Sequence, residues 1–253
     1  MNIVVIGSGN VASHFSRAFV EAGCRIIQVY SRTPAHARAL ASTWTVPAIS
    51  QLSDIDTTAD VYLVAVKDDA LETVLSQLPP ALNGIVLHTA GSVEMAVFHG
   101  YARRYGVLYP VQTFSKEKHI DFGHVPLAIE ASDAETQESL SRLAGLLSGR
   151  VFLCNSEQRL ALHAAAVFAC NFTNHCYAIA DDLLHEHRLG FDLIRPLIRE
   201  TAEKVMQHKP REVQTGPAVR QDIQTMEKHM RLLQEHPDWA ALYDALSRQI
   251  GRS

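Results

Sequence analysis

Apolar residues gather in short runs through the first part of the chain. They stand at Ile3 to Ile6, Arg25 to Tyr30, Val61 to Val66, Ile85 to His88, Val107 to Tyr109, Val125 to Glu130 and Val151 to Cys154, with a weaker candidate near Val46. Runs of this length bounded by turn residues predict buried strands. Helical patterns separate them: one follows Gly9 and ends at Gly23, and one opens on the cap-then-proline pair Thr33-Pro34 and runs to about Thr43. Another spans about Leu71 to Leu78, and one is predicted to be capped by Ser132. Strands alternating with helices imply a parallel sheet covered on both faces.

The period changes near Asn155. Beyond it the sequence predicts helices alone. Ser156 is expected to cap the first, which runs to about His187; the second covers Asp192 to about His208, the third Val219 to Gln234, and Pro237 opens the last. This divides the chain into 1–154 and 155–253. The expected class is α/β: a doubly wound, mostly parallel sheet followed by a second, all-α domain.

Composition narrows the function. Among 253 residues 47% are hydrophobic and 20% charged, and a formal net charge of -4 gives no basic footprint for nucleic acid. The apolar runs fall short of the ~20 residues of a membrane span. No basic leader precedes the first strand, so a cytoplasmic location is expected. The cysteines are scattered (Cys24, Cys154, Cys170, Cys176), and although Cys170, His175, Cys176, His185 and His187 lie close in sequence, they lack CxxC or HExxH spacing. No metal site is expected.

The chemistry begins at Gly7-Ser8-Gly9-Asn10-Val11-Ala12, between the first strand and the first helix. One glycine permits a tight turn, the next lets backbone approach a pyrophosphate, and the small third residue lets helix and strand pack closely. This is the dinucleotide pattern of a Rossmann-type domain; the competing reading is a glycine turn without a ligand. Ser31-Arg32-Thr33 follows the second strand where an NAD site carries an acid. A guanidinium with two hydroxyls suits the 2′-phosphate of NADP.

In the second half Arg159, His163, Asn171 and Asn174 fall near one stripe at about 100° per residue. They could line one cleft, or be satisfied core groups. The segment Leu160 to Cys170 is apolar almost all round and is expected in the core of the helical domain. Thr215 to Asp222 offers an anion-binding turn, with Arg220 expected in the first turns of the helix beyond it and a salt bridge to Asp222 or Glu227 as its alternative.

The strings GSGNVA (Gly7 to Ala12), AVKDDAL (Ala65 to Leu71), HTAGS (His88 to Ser92), YPVQTFS (Tyr109 to Ser115), HAAAVFACNFTNH (His163 to His175) and TGPAVRQD (Thr215 to Asp222), with His229, resemble a bacterial family. That family joins a Rossmann-like domain to a helical domain of unknown function, number 2520. It is similar in plan to pyrroline-5-carboxylate reductases and to 6-phosphogluconate and 3-hydroxyacid dehydrogenases. The resemblance implies nicotinamide over the strand ends, with Ala65, Val66, Lys67, His88 and Thr89 joining Gly7 to Ala12 and Ser31 to Thr33 around NADP. It implies substrate between the domains and a homodimer built through the helices. The wider superfamily places a lysine and an asparagine one turn apart at the start of this helix, where this chain has Arg159 and His163. On that plan the chain is expected to be an NADP-dependent oxidoreductase acting on a C=O or C=N carbon of a small, anionic metabolite. His163 would donate the proton, Asn171 and Asn174 would stabilise charge, and Ser92, Arg159, Thr215 and Arg220 would bind substrate. The alternative is an NADP-loaded sensor or assembly protein without turnover.

Overall fold

Ile3 and Val5 point to one face of the first strand, Val4 and Ile6 to the other, and all four are buried. A strand buried on both sides needs a layer on each face, and the rest of the unit supplies them. In the computed structural model, which describes residues 1–115 and 118–252, the chain divides into two compact units, Met1–Phe168 and Ala169–Ser253.

The first unit alternates β1 (Asn2–Ile6), α1 (Asn10–Glu21), β2 (Arg25–Tyr30), α2 (Pro34–Trp44), β3 (Ala48–Ile49), β4 (Val61–Val64), α3 (Leu71–Leu75) and β5 (Ile85–His88). It continues with β6 (Tyr105–Pro110), β7 (Leu127–Ala131), α4 (Ala134–Leu147), β8 (Val151–Leu153) and α5 (Ser156–Ala166). The strands form one sheet in the order β3-β2-β1-β4-β5-β6-β7-β8. The chain winds outward from β1 in one direction and from β4 in the other, so a crevice opens beyond the carboxyl ends of these two strands.

On one face Phe15 and Phe19 of α1 stack at 5.7 Å between ring centroids. They share a core with Leu140, Leu143 and Leu147 of α4. On the other, Leu71, Val74 and Leu75 of α3 pack with Phe98. Each such side chain, fully buried, contributes about 1.5–3 kcal/mol.

The sheet is mostly parallel, as expected, with β6 and β7 paired antiparallel and Leu108 opposite Ile129. The described residues between these strands hold a 3₁₀ turn at Phe122–His124 and no crossover helix, and parallel neighbours need one. α4 is capped by Asp133, not Ser132: its carboxylate accepts from the Thr136 N–H at 2.8 Å, while the Ser132 hydroxyl donates to Asp133. That backbone N–H is the main reason the Asp133 carboxyl is held down to about 2. α5 is capped by Asn155, not Ser156, in a reciprocal box with Gln158 (2.8 and 3.0 Å). Finally, the segment after Leu160 is no buried core. Leu160 is 51% exposed, Arg159 is the buried residue of α5, and by its contacts α5 stands with the sheet although it lies beyond residue 154.

Val167–Phe172 is π-helical and leads into α6 (Thr173–Glu186), followed by α7 (Arg195–Gln207), α8 (Ile223–Leu232) and α9 (Pro237–Ile250). α8 and α9 meet through His229 Nδ1 and the Tyr243 hydroxyl at 2.9 Å. Yet few residues of the second unit are buried, Ala218 and Leu233 among them, whereas Leu197 is 65% and Met206 85% exposed. No helix among the described residues is long and apolar enough to cross a membrane.

Candidate active site

Gly7 has φ +124°, and a Cβ there would lie 2.1 Å from the Ala65 carbonyl oxygen. Only glycine lets the chain leave β1 this close to β4. Its N–H donates to the Tyr30 carbonyl at 2.9 Å, tying the turn to β2. Gly9 is different: a Cβ there would meet nothing within 4 Å. The fold does not need that glycine. The open backbone stands at the start of α1, with no side-chain cap and no acid in the first turn. That is the space a pyrophosphate fills against free N–H groups and the positive end of the helix dipole.

The turn forms one end of a cleft of about 1190 Å³. Ser8 donates its hydroxyl proton to Ser31 Oγ at 3.0 Å, which joins the glycine turn to the end of β2. Arg32 and Thr33 extend that wall, and no acid among the described residues pairs with Arg32. His36, in the first turn of α2, adds a further polar group beside Ser31, Arg32 and Thr33 that the sequence does not single out. Ala65, Val66 and Lys67 line the middle, and Thr89 to Gly91 the far side. Tyr109, Gln112, Phe114 and His163 complete the lining.

The structure thus brings together Gly7 to Val11, Ser31 to Thr33, Ala65 to Lys67, Thr89 and His163. Asn10 also braces the site, its amide donating to the Phe114 carbonyl at 2.9 Å. Other expected site residues lie elsewhere. Ala12 is buried in the core beneath α1. His88 is fully buried and stacked on Phe98 at 5.3 Å; burial first, then the nearby Arg159, pushes it down to about 3. A neutral imidazole results, its Nδ1 accepting from the Ala90 N–H at 3.2 Å. His88 shapes the 89–91 loop from behind. Ser92 is exposed and donates to the Asp68 carboxylate.

Arg159 is corrected most. It is 1% exposed and gives its donors to the Glu130 carboxylate, the Val93 carbonyl and Ser156 Oγ. Glu130 also accepts from the Ser156 N–H at 3.1 Å. Nη1 and Nη2 are taken up in this way and Nε is buried without a partner among the described residues, so the guanidinium is out of reach of a substrate in the cleft. It clamps the start of α5 to β7 and to the loop at Val93, and so sets the helix on which His163 stands one turn later.

Asn171, Asn174, Thr215 and Arg220 belong to the second unit, and all four are exposed. The stripe that placed both asparagines beside His163 assumed α-helical rotation, and the wider turn of Val167–Phe172 breaks it. Arg220 is not in the first turns of a helix either. α8 starts at Ile223 behind the cap Asp222, which accepts from the Thr225 N–H at 3.1 Å, and Glu227 pairs with Arg231.

With this geometry in place, comparison with known proteins gives a consistent picture. Residues 2–88 match the family described as "NADP oxidoreductase coenzyme F420-dependent". Residues 125–250 match "domain of unknown function (DUF2520)". A Bacteroides fragilis protein provisionally named an NADP oxidoreductase is 43% identical, with 100% of this chain and 98% of that one covered and a TM-score of 0.91. The reductive aminase of Aspergillus terreus, solved with NADPH and ethyl-5-oxohexanoate, is 16% identical at a TM-score of 0.74, covering 99% of this chain and 92% of that one. The imine reductase of Myxococcus stipitatus, solved with NADP+, is 18% identical at 0.68, covering 99% and 93%. These two likenesses are of fold. Comparison with curated proteins finds no match.

Proposed function

Because the chain belongs to the NADP oxidoreductase family that carries domain of unknown function 2520, we propose that it is a cytoplasmic reductase delivering hydride to the C=O or C=N carbon of a small metabolite. NADP is the cofactor that goes with this membership. The glycine turn and the start of α1 would hold its pyrophosphate, and Ser31, Arg32, Thr33 and His36 its 2′-phosphate. Bound there, it supplies the hydride. One observation carries the reading: the glycine turn, Arg32 and His163 are walls of a single cleft. The imidazole of His163 in that cleft would donate a proton as the substrate oxygen or nitrogen gains charge.

The acidic substrate expected from the sequence loses Arg159 as an anchor and rests on Thr215 and Arg220. A homodimer through the helices is part of the same reading. It is supported by the apolar side chains that α7 and α8 leave exposed, Leu197, Met206 and Ile223 among them.

The test is NADPH oxidation against a panel of ketones, and of ketones mixed with amines, read at 340 nm. Turnover should appear with at least one member and fall by ~10²–10⁴-fold in His163→Ala, the usual worth of a general acid, with NADP affinity unchanged. A wild type silent on the whole panel, or a His163→Ala variant as active as wild type, would refute the reading.

A further inference from the structure

Tyr109 stands at the end of β6, and its hydroxyl lies 3.1 Å from Nδ1 of His163. The rings meet edge to face, 6.0 Å between centroids at 80°. Gly91 closes on the pair. A Cβ there would stand 2.7 Å from Cγ and Nδ1 of the imidazole and 3.0 Å from Cε2 of the phenol. The His163 ring is therefore wedged between a loop that leaves it no room and a single hydroxyl at Nδ1.

That hydroxyl is an un-ionised one. Burial raises the phenol above its ordinary value, and Arg159 offsets this only in part. Arg159 is itself neutralised by Glu130. Imidazolium carries hydrogen on both ring nitrogens, so facing it a neutral phenol oxygen accepts a hydrogen bond from Nδ1–H. With Nδ1–H placed on Tyr109, the remaining proton sits on Nε2.

We propose that Tyr109 is the positioning residue of the proton donor: its oxygen accepts Nδ1–H of His163, fixes the ring and its tautomer, and leaves Nε2 as the atom that gives the proton. This rests on the reading of His163 as general acid. The balance is simple. Hydride supplied by NADPH adds to the carbon of C=O or C=N, and the π pair moves to oxygen or nitrogen, which takes the proton from Nε2. The imidazolium becomes neutral imidazole, still bonded through Nδ1–H to Tyr109, and solvent returns a proton to Nε2.

Side-chain ¹⁵N–¹H correlation spectra of the full chain with NADP+ test this, with the His163 signals identified by their loss in His163→Ala. At a pH where the ring is neutral, the wild type should carry its proton on Nδ1. In Tyr109→Phe it should return to Nε2, the tautomer free histidine favours. Gly91→Ala keeps the phenol but pushes the imidazole off it, so the same change is expected and no single variant's folding decides the matter. On any active panel member Tyr109→Phe should also lose about tenfold or more in kcat, a fraction of the general-acid effect, with KM for NADPH unchanged. An Nε2–H tautomer in the wild type, or spectra unchanged in both variants, would overturn the proposal. A tautomer that shifts as expected in a protein with no turnover leaves Tyr109 holding the His163 ring, but removes the reductase reading and with it the proton-donor part of the proposal.

Discussion

The two units spend their apolar residues differently. In the sheet unit the strands β1, β2 and β4 to β7 carry fully buried side chains, and Arg159, the one deeply buried arginine or lysine among the described residues, has an anion, a carbonyl and a hydroxyl around it. In the helical unit α7, α8 and α9 hold no fully buried residue, and leucines, methionine and isoleucine face outward. A sheet closes on itself because successive residues point to opposite faces and helices cover both. Helices joined by short loops bury one stripe each, and the second stripe needs another surface. The cleft belongs to the closed unit, and that is why its geometry can be read within one chain.

The largest effect expected from breaking this contrast is at Arg159. Removing one member of a buried ion pair leaves the other uncompensated, which costs about 3–5 kcal/mol. Arg159→Ala should therefore lower the stability of the sheet unit by about that much in urea unfolding. A loss under about 1 kcal/mol would mean that the clamp between α5, β7 and Val93 is dispensable.

A smaller effect tests the helical unit. If Leu197 and Ile223 are covered by a second copy, the chain should sediment as a dimer at micromolar concentration. Replacing either with aspartate should remove about 2 kcal/mol of burial, roughly thirtyfold in the dimer dissociation constant. A wild type that sediments as a monomer would mean that these apolar side chains stay in water.

The sequence was most legible where one residue's neighbours decide its fate. The strand ends and the glycine turn were read closely because alternation and φ > 0 are local matters. The caps were missed by one residue because Ser132-Asp133 and Asn155-Ser156 each offer two adjacent cap groups, and only the folded turn shows which one aims at the N–H. Arg159 was misplaced because Glu130, its partner, lies 29 residues away. The role of Tyr109 leaves no local signal because its contact with His163 spans 54 residues. The π-helical turn at Val167 left no mark in the apolar pattern, so the asparagine stripe was drawn through it.

We propose a division of labour along one cleft, in which Arg32 decides which nucleotide binds and His163 decides what it does. Titrating NADP and NAD into wild type, Arg32→Ala and His163→Ala tests it most directly. NADP should bind wild type at least tenfold tighter than NAD, about 1.4 kcal/mol. Arg32→Ala should remove most of that difference, and His163→Ala should leave it intact. Equal affinities for the two nucleotides in the wild type, or a preference that survives in Arg32→Ala, would contradict the account.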